Sequence, residues 1–367
     1  MSKKVTVLTL QNVRNYGSAL QALATQALFE QLGCEVDFFD YYRINFSSKW
    51  QRIKTWVKDK GIVAKTVYPF LLFPTFVKQD GVFRRFLCKH LHTQPKRVST
   101  IEDFKALELK SDIYCTGSDQ TWNSEWNGGI LPELFLGFVP DNVKKISYAA
   151  SIGKGELDEW EKEETKRFLD RYSAISVRES TAVDIINALG IDGAVHVLDP
   201  TLQMPREFWM NMARKPKEKK YLLIYQLNTN PQFDAYAREF ASRKGLKLLR
   251  FCTRYDQIVK CGNSLVIPDV EDFISYIAYA EFVITDSFHA TAFSINLNTN
   301  FLSIYPNNFS SRLASILELT GLQHRHLASY DDFSFVDNFE VDFSNANAIL
   351  DIEREKAVKF LKRAISD

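Results

Sequence analysis

The chain has 367 residues, enough for two domains of ordinary size, and its 46% apolar and 25% charged content is that of a soluble globular protein. A net charge of only +1 argues against a dedicated nucleic-acid binder. Five scattered cysteines (Cys34, Cys88, Cys115, Cys252, Cys261) without CxxC spacing argue against a zinc site and a disulfide framework, so a reducing cytoplasm is the expected setting.

Lys4–Leu10 reads as a buried strand that begins without a hydrophobic signal core before it. A loop, Gln11–Ser18, leads to a helix predicted over Ala19–Leu32 that stops at Gly33, and Glu35–Tyr41 is the next strand. This is a βαβ unit, the opening of a parallel sheet. The segment Arg43–Arg97 then carries 13 Lys/Arg against Asp59 and Asp80, a local charge of +11 that leaves the remainder at −10. Its apolar stretch, Ile62–Val77, is broken by Lys65, Pro69 and Pro74 and is too short to span a bilayer. Strands follow at Asp112–Thr116, Lys145–Ala150, Ala174–Val177 and Val195–Leu198, with helices at Glu156–Asp170 and Thr181–Leu189.

The pattern restarts after the lysine-rich segment Arg214–Lys220, the expected linker. Strands are predicted at Tyr221–Gln226, Leu246–Phe251, Ser264–Ile267, Phe282–Thr285 and Phe301–Ile304, and helices at Gln232–Arg243, Glu271–Ala280, Ala290–Ile295 and Ser311–Thr320. A last amphipathic helix covers about Asn345–Ile365. The expected fold is α/β, two Rossmann-like domains facing across a cleft in a GT-B-like arrangement. Residues 1–205 form the first domain, 206–344 the second and 345–367 a closing helix. No GxGxxG or GxxxxGK[ST] phosphate loop, HExxH or GxSxG is present, which disfavours conventional dinucleotide or P-loop chemistry.

The most informative stretch is Phe282–His289, where a buried strand stops at Asp286/Ser287 and a helix begins with His289 in its first turn. Backbone N–H groups and the positive dipole end of such a helix favour a phosphate or carboxylate. The plainer reading makes Asp286 or Ser287 a helix N-cap and His289 a structural histidine.

Several segments together resemble the polysaccharide pyruvyl transferase family. They are Asn15-Tyr16-Gly17-Ser18 with Leu20-Gln21-Ala22, Gly117-Ser118-Asp119-Gln120-Thr121-Trp122-Asn123, Ser147–Ser151, Ser176-Val177-Arg178-Glu179, Asp199-Pro200-Thr201 and Thr285–His289. The resemblance implies transfer of pyruvate from phosphoenolpyruvate to a sugar of a cell-surface polysaccharide precursor, closing a pyruvate ketal across two hydroxyls. The acceptor is a lipid- or nucleotide-linked glycan, and no cofactor or metal is needed beyond the donor substrate. One departure stands out: a better-known branch has Arg-Leu-His where this chain has Ser287-Phe288-His289, and there the arginine contacts the donor. Either Arg312 replaces it or the donor differs.

A donor with a carboxylate and a phosphate calls for fixed positive charge, which the planar arginine fork supplies best. Arg178, Ser287, His289 and Arg312 are the expected donor-binding residues, and His289, Asp119 and Asp286 the expected catalytic ones: His289 as acid or phosphate partner, the carboxylates for hydroxyl activation. Asn15, Tyr16, Gly17, Gln120 and Trp122 are placed on the acceptor side. Trp126 and Tyr148 are further aromatic surfaces for sugar rings, with core packing the plainer reading. For Arg178 the plainer reading is a salt bridge with Glu179 or another nearby acid, for Arg312 a solvated helix, and for Asn15–Ser18 a βα turn with Ser18 as N-cap.

The basic segment, with Trp50, Trp56, Phe70, Leu71, Leu72, Phe73 and Phe76, fits a surface that approaches anionic lipid at the inner face of the cell membrane or a pyrophosphate-linked acceptor, or else a solvated helical face. Two other functions compete: a sugar-nucleotide-dependent GT-B glycosyltransferase, and a catalytically silent glycan-binding protein of a polysaccharide assembly pathway.

Overall fold

The computed structural model of the protein describes residues 2–43, 49–57, 61–306 and 311–366, without the side chains of 51, 55, 56, 62–67 and 71. Residues 44–48 and 58–60 of the basic segment, the Trp56 and Leu71 side chains, and Asn308-Phe309-Ser310 before Arg312 therefore lie outside the described residues. The chain divides into two compact units. One comprises Met1–Ser47, Phe86–Gln203 and Asp351–Asp367; the other comprises Ser48–Arg85 and Met204–Leu350.

The first unit is built on a parallel sheet of β1 (Lys4–Leu8), β2 (Glu35–Tyr41), β3 (Thr93–Val98), β4 (Ile113–Thr116) and β5 (Lys144–Ser147), in the order β3-β2-β1-β4-β5. A short pair, β6 (Ser176–Val177) and β7 (Val195–His196), continues the same direction through bridges from Ile146 to Ala174 and from Ala150 to Val177. The central strands are apolar on both faces because helices cover both. β3 (TQPKRV) has no such pattern, and the sequence reading passes over it; its Pro95 is tolerated because the strand lies at the sheet edge. The first helix runs Tyr16–Gln31 and starts three residues before its expected position, because Asn15 caps it by accepting hydrogen bonds from the N–H groups of Gly17 and Ser18.

The second unit repeats the plan with β8 (Tyr221–Tyr225), β9 (Lys247–Cys252), β10 (Asn263–Val266), β11 (Phe282–Thr285) and β12 (Phe301–Ser303), ordered β10-β9-β8-β11-β12 and all parallel. Its core packs Leu222, Ile224, Phe282 and Ile284 of the sheet against Phe233, Tyr236 and Phe240 of the helix Pro231–Arg243. In each unit the strand order reverses beside its first strand, between β1 and β4 and between β8 and β11. Loops beyond the carboxyl ends of those strands are where open α/β sheets collect ligands.

The unit boundaries differ from the expected domains in two places. The helical segment before Phe86 packs with the second unit: Gln79 Nε2 donates to Thr253 O at 2.9 Å, Lys78 Nζ to Val266 O at 2.6 Å, and Arg85 pairs with Asp269. The C-terminal helix Ser344–Ser366 is not a separate element, because from Asp351 onward it belongs to the first unit. There Ala357, Phe360, Leu361 and Ala364 form a buried stripe at helical spacing, and Arg354 donates to Leu202 O. Sequence reading placed the boundaries by composition, which does not reveal where a helical excursion docks.

Candidate functional site

In the first unit, five of the sequence motifs meet at the β1/β4 switch point. Gly117 leaves β4 where a Cβ would lie 3.0 Å from both Thr9 Cβ and Val7 Cγ1, so a larger residue would press on both side chains. Asp119 follows in the left-handed region at φ 82°, a strained position for a non-glycine residue. Its Oδ2 accepts from Ser18 Oγ of the first helix, its Oδ1 accepts from the Gln120 N–H at 2.9 Å, and Oδ1 stands 3.6 Å from Arg178 Nη2.

Arg178 is the hub of this cluster. Its Nη1 donates to Asp199 Oδ2 at 2.9 Å and its Nε to Glu179 Oε1 at 3.2 Å, and its side chain is fully buried. Burial alone would lower the guanidinium pKa, but Glu179, Asp199 and Asp119 outweigh it and hold the group firmly protonated. One cation thus faces three carboxylates, and hydroxyls share the excess charge. Ser118 Oγ donates to Asp199 Oδ2 at 3.1 Å, Thr201 Oγ1 to Asp199 Oδ1 at 2.6 Å, and Ser151 Oγ to Glu179 Oε1 at 2.5 Å. Asp119 is the carboxylate of the three that reaches solvent, with a side chain 9% exposed against 2% for Glu179 and 0% for Asp199.

This geometry corrects several expectations. Arg178 does not offer its fork to a donor, because carboxylates of its own unit occupy it. Trp122 is core: its ring stacks on Phe135 at 5.5 Å, its Nε1 donates to Leu134 O, and it is 3% exposed. Tyr16 and Tyr148 are buried as well. Gln120 is a brace whose Oε1 accepts from Asn123 Nδ2 at 2.7 Å, and Gly153 at φ 65° makes room for that pair. Asn15, not Ser18, is the helix cap, and Gly17 lies buried in the first turn. Trp126 is half-buried and lies under the Arg43 guanidinium, 3.8 Å from ring centroid to Cζ; burial pushes the pKa of Arg43 down to about 10.

In the second unit the turn after β11 is pinned by Thr285, whose Oγ1 donates to Tyr225 O at 2.6 Å and accepts from the Ser287 N–H at 3.0 Å. Ser287 caps the helix Phe288–Leu297. Asp286 is therefore not the cap. It clamps the neighbouring loop instead, Oδ1 accepting from the Leu227 N–H at 2.7 Å and Oδ2 from the Asn228 N–H at 2.8 Å. Its burial raises its pKa against the opposing effect of those bonds. A carboxylate so occupied is a poor hydroxyl activator, which corrects the catalytic role expected of it.

His289 sits in the first turn of that helix, 6% exposed, with its ring edge-on to Phe288 at 5.2 Å. Arg312, on the helix Ser311–Leu319, brings its guanidinium carbon 5.8 Å from the same Phe288 ring. Arg312, distant in sequence, is thus brought to the Phe288 ring that Ser287 and His289 flank at the start of this helix. Sequence reading missed polar and aromatic residues on the other loops of this unit. Asn228 also donates its Nδ2 to Asp286, and Asn230 Nδ2 donates to the Tyr330 hydroxyl at 2.8 Å. Tyr305 stacks on His326 at 3.6 Å. Asn228 and Asn230 follow the carboxyl end of β8 and Tyr305 that of β12, and they become visible as candidates only once the strand order is known.

A sequence model of the polysaccharide pyruvyl transferase family matches residues 15–308. The chain belongs to that family. The match spans the segments that hold Asp119, Arg178, Ser287 and His289 and ends before Arg312. No curated protein is significantly similar in sequence. Among solved structures, the chain resembles an S. aureus MnaA–UDP complex (TM-score 0.52, 11% identity, 99% of this chain and 91% of that one). It also resembles a putative UDP-N-acetylglucosamine 2-epimerase from Listeria monocytogenes (TM-score 0.51, 12% identity, 98% and 91%). These likenesses establish a GT-B-like fold of two Rossmann-like units for this pyruvyl transferase family member. Among the described residues no group of three or more His, Cys, Asp or Glu is arranged to hold a metal ion, and no helix is long and apolar enough to cross a membrane.

Proposed function

We propose that the protein transfers the pyruvyl group of phosphoenolpyruvate to two hydroxyls of a lipid- or nucleotide-linked glycan, forming a pyruvate ketal for a cell-surface polysaccharide, and that it acts in the cytoplasm. The observation that carries this reading is the approach of Arg312 to the Phe288 ring, which Ser287 and His289 flank at a helix N-terminus, within a chain of the pyruvyl transferase family. That end of the helix favours an anion, and Arg312 supplies the guanidinium missing at Ser287. The second unit is accordingly the donor side.

The reaction protonates the methylene carbon of phosphoenolpyruvate and makes its C2 electrophilic; one sugar hydroxyl adds there. The C2–O bond to phosphate then breaks, and a second hydroxyl takes the vacated position. Two hydroxyl protons are released, one ending on the new methyl group and the other leaving with phosphate. His289 delivers the proton or receives the departing phosphate. In the first unit Asp119 has both oxygens engaged, by Ser18, Gln120 and Arg178, and is as poorly disposed as Asp286 to take a proton from a sugar hydroxyl. Arg178 is a positioning residue that holds that carboxylate in place.

Phosphate release from phosphoenolpyruvate in the presence of a glycan acceptor tests the assignment. His289→Ala should lower kcat on the order of 10²-fold with folding retained. Arg312→Lys should raise the KM for phosphoenolpyruvate, because the charge stays and the bidentate fork goes. Wild-type kinetics in both variants would place the donor elsewhere.

A further inference from the structure

The helical segment of the second unit that precedes Phe86 carries an apolar face that its own unit leaves uncovered. Phe70 is 79% exposed, Val77 47% and Phe73 39%. These positions follow one another at helical spacing on Ile62–His90 and lie along a single stripe, with exposed Arg84 two turns beyond Val77 on the same line. Trp50, 60% exposed on the helix Lys49–Val57, joins the stripe: its ring centroid lies 5.7 Å from that of Phe73. The opposite faces carry the packing, with Ile53, Val57, Leu72 and Phe76 in one buried cluster. The stripe is therefore surplus to the fold.

Charge selects the occupant. Residues 48–85 hold nine Lys/Arg against Asp59 and Asp80. Asp80 is already consumed by Arg52 and Lys49, and Arg85 is paired with Asp269, while Lys54, Lys78 and Arg84 are exposed. Large aromatics flanked by long basic side chains are the composition of a surface that lies in a headgroup layer, where the rings enter the acyl boundary and the cations meet phosphate. We infer that Trp50, Phe70, Phe73 and Val77 form a docking face for an anionic lipid surface, held there by the surrounding Lys and Arg. This goes beyond the proposed reaction and holds whichever donor and acceptor the protein uses.

Sedimentation of the full chain with vesicles tests it, using phosphatidylcholine alone and phosphatidylcholine mixed with phosphatidylglycerol. The wild type should pellet with the mixed vesicles only, and less so as salt shortens the Debye length from about 10 Å at 0.1 M to about 3 Å at 1 M. Lys54→Gln and Arg84→Gln should each lower partitioning about fivefold. Phe70→Ser with Phe73→Ser should abolish it, while circular dichroism and unfolding midpoint stay at wild-type values because both side chains are exposed. Two results would overturn the proposal. One is a wild type that ignores the anionic vesicles. The other is concentration-dependent dimerisation that the serine variants abolish, which would assign the face to a second copy of the chain.

Discussion

Arg178→Met isolates the claim that this arginine serves the architecture of the first unit and not the donor. The substitution keeps much of the side-chain length and removes the charge, leaving Asp119, Glu179 and Asp199 together in a site where Arg178 itself has no exposed surface. At an effective dielectric near 20, each contact at these separations contributes about 5 kcal/mol of attraction. Desolvation and repulsion among the three acids cancel much of it, and removing one partner of such a buried network costs about 3–5 kcal/mol. That is a large part of a total stability of roughly 5–15 kcal/mol.

In urea, with a slope near 2 kcal/mol/M, the unfolding midpoint of the affected transition should fall by about 2 M. Arg178→Lys, which keeps a cation without the fork, should fall between wild type and the methionine variant and serves if the latter does not fold. An unchanged urea midpoint combined with weakened phosphoenolpyruvate binding would return Arg178 to the donor.

Trp122→Ala should cost about 3–5 kcal/mol by emptying its place against Phe135, with specific activity of the folded fraction unchanged; a selective loss of acceptor affinity would restore it to the sugar site. For Asp286, burial raises the folded-state pKa above 3.8. The folded protein thus binds the proton more readily than the unfolded chain in the interval above 3.8, and this carboxyl adds stability as pH falls through that interval. Asp286→Asn should lack that increment and, having left an N–H of the clamped loop without its acceptor, be less stable at neutral pH by about 1–3 kcal/mol. Unfolding midpoints of both proteins across the acid range check the two statements together.

Strands with strong apolar runs were legible: Glu35–Tyr41 and Phe282–Thr285 fall where alternation and burial place them. What was not legible depended on partners distant in sequence. The polar, proline-containing β3 is a strand only because β2 offers it an edge. Nothing in Ser-Val-Arg-Glu announces that its arginine will meet Asp199 and Asp119, and an exposed arginine at a strand end would have read the same. Trp122 in a loop motif looked available to a sugar until Phe135 and Tyr172 were seen to enclose it. His289 and Ser287, by contrast, were found where a strand-to-helix junction puts them, since that junction is local in sequence.

Incubating the protein with phosphoenolpyruvate and a lipid-linked glycan, and following phosphate together with the mass of the glycan, tests the central claim most directly. One phosphate should be released for each acceptor that becomes heavier by one pyruvate less one water, with both signals lost in His289→Ala. An acceptor that instead gains a sugar residue from a nucleotide sugar while phosphoenolpyruvate is left intact would contradict it.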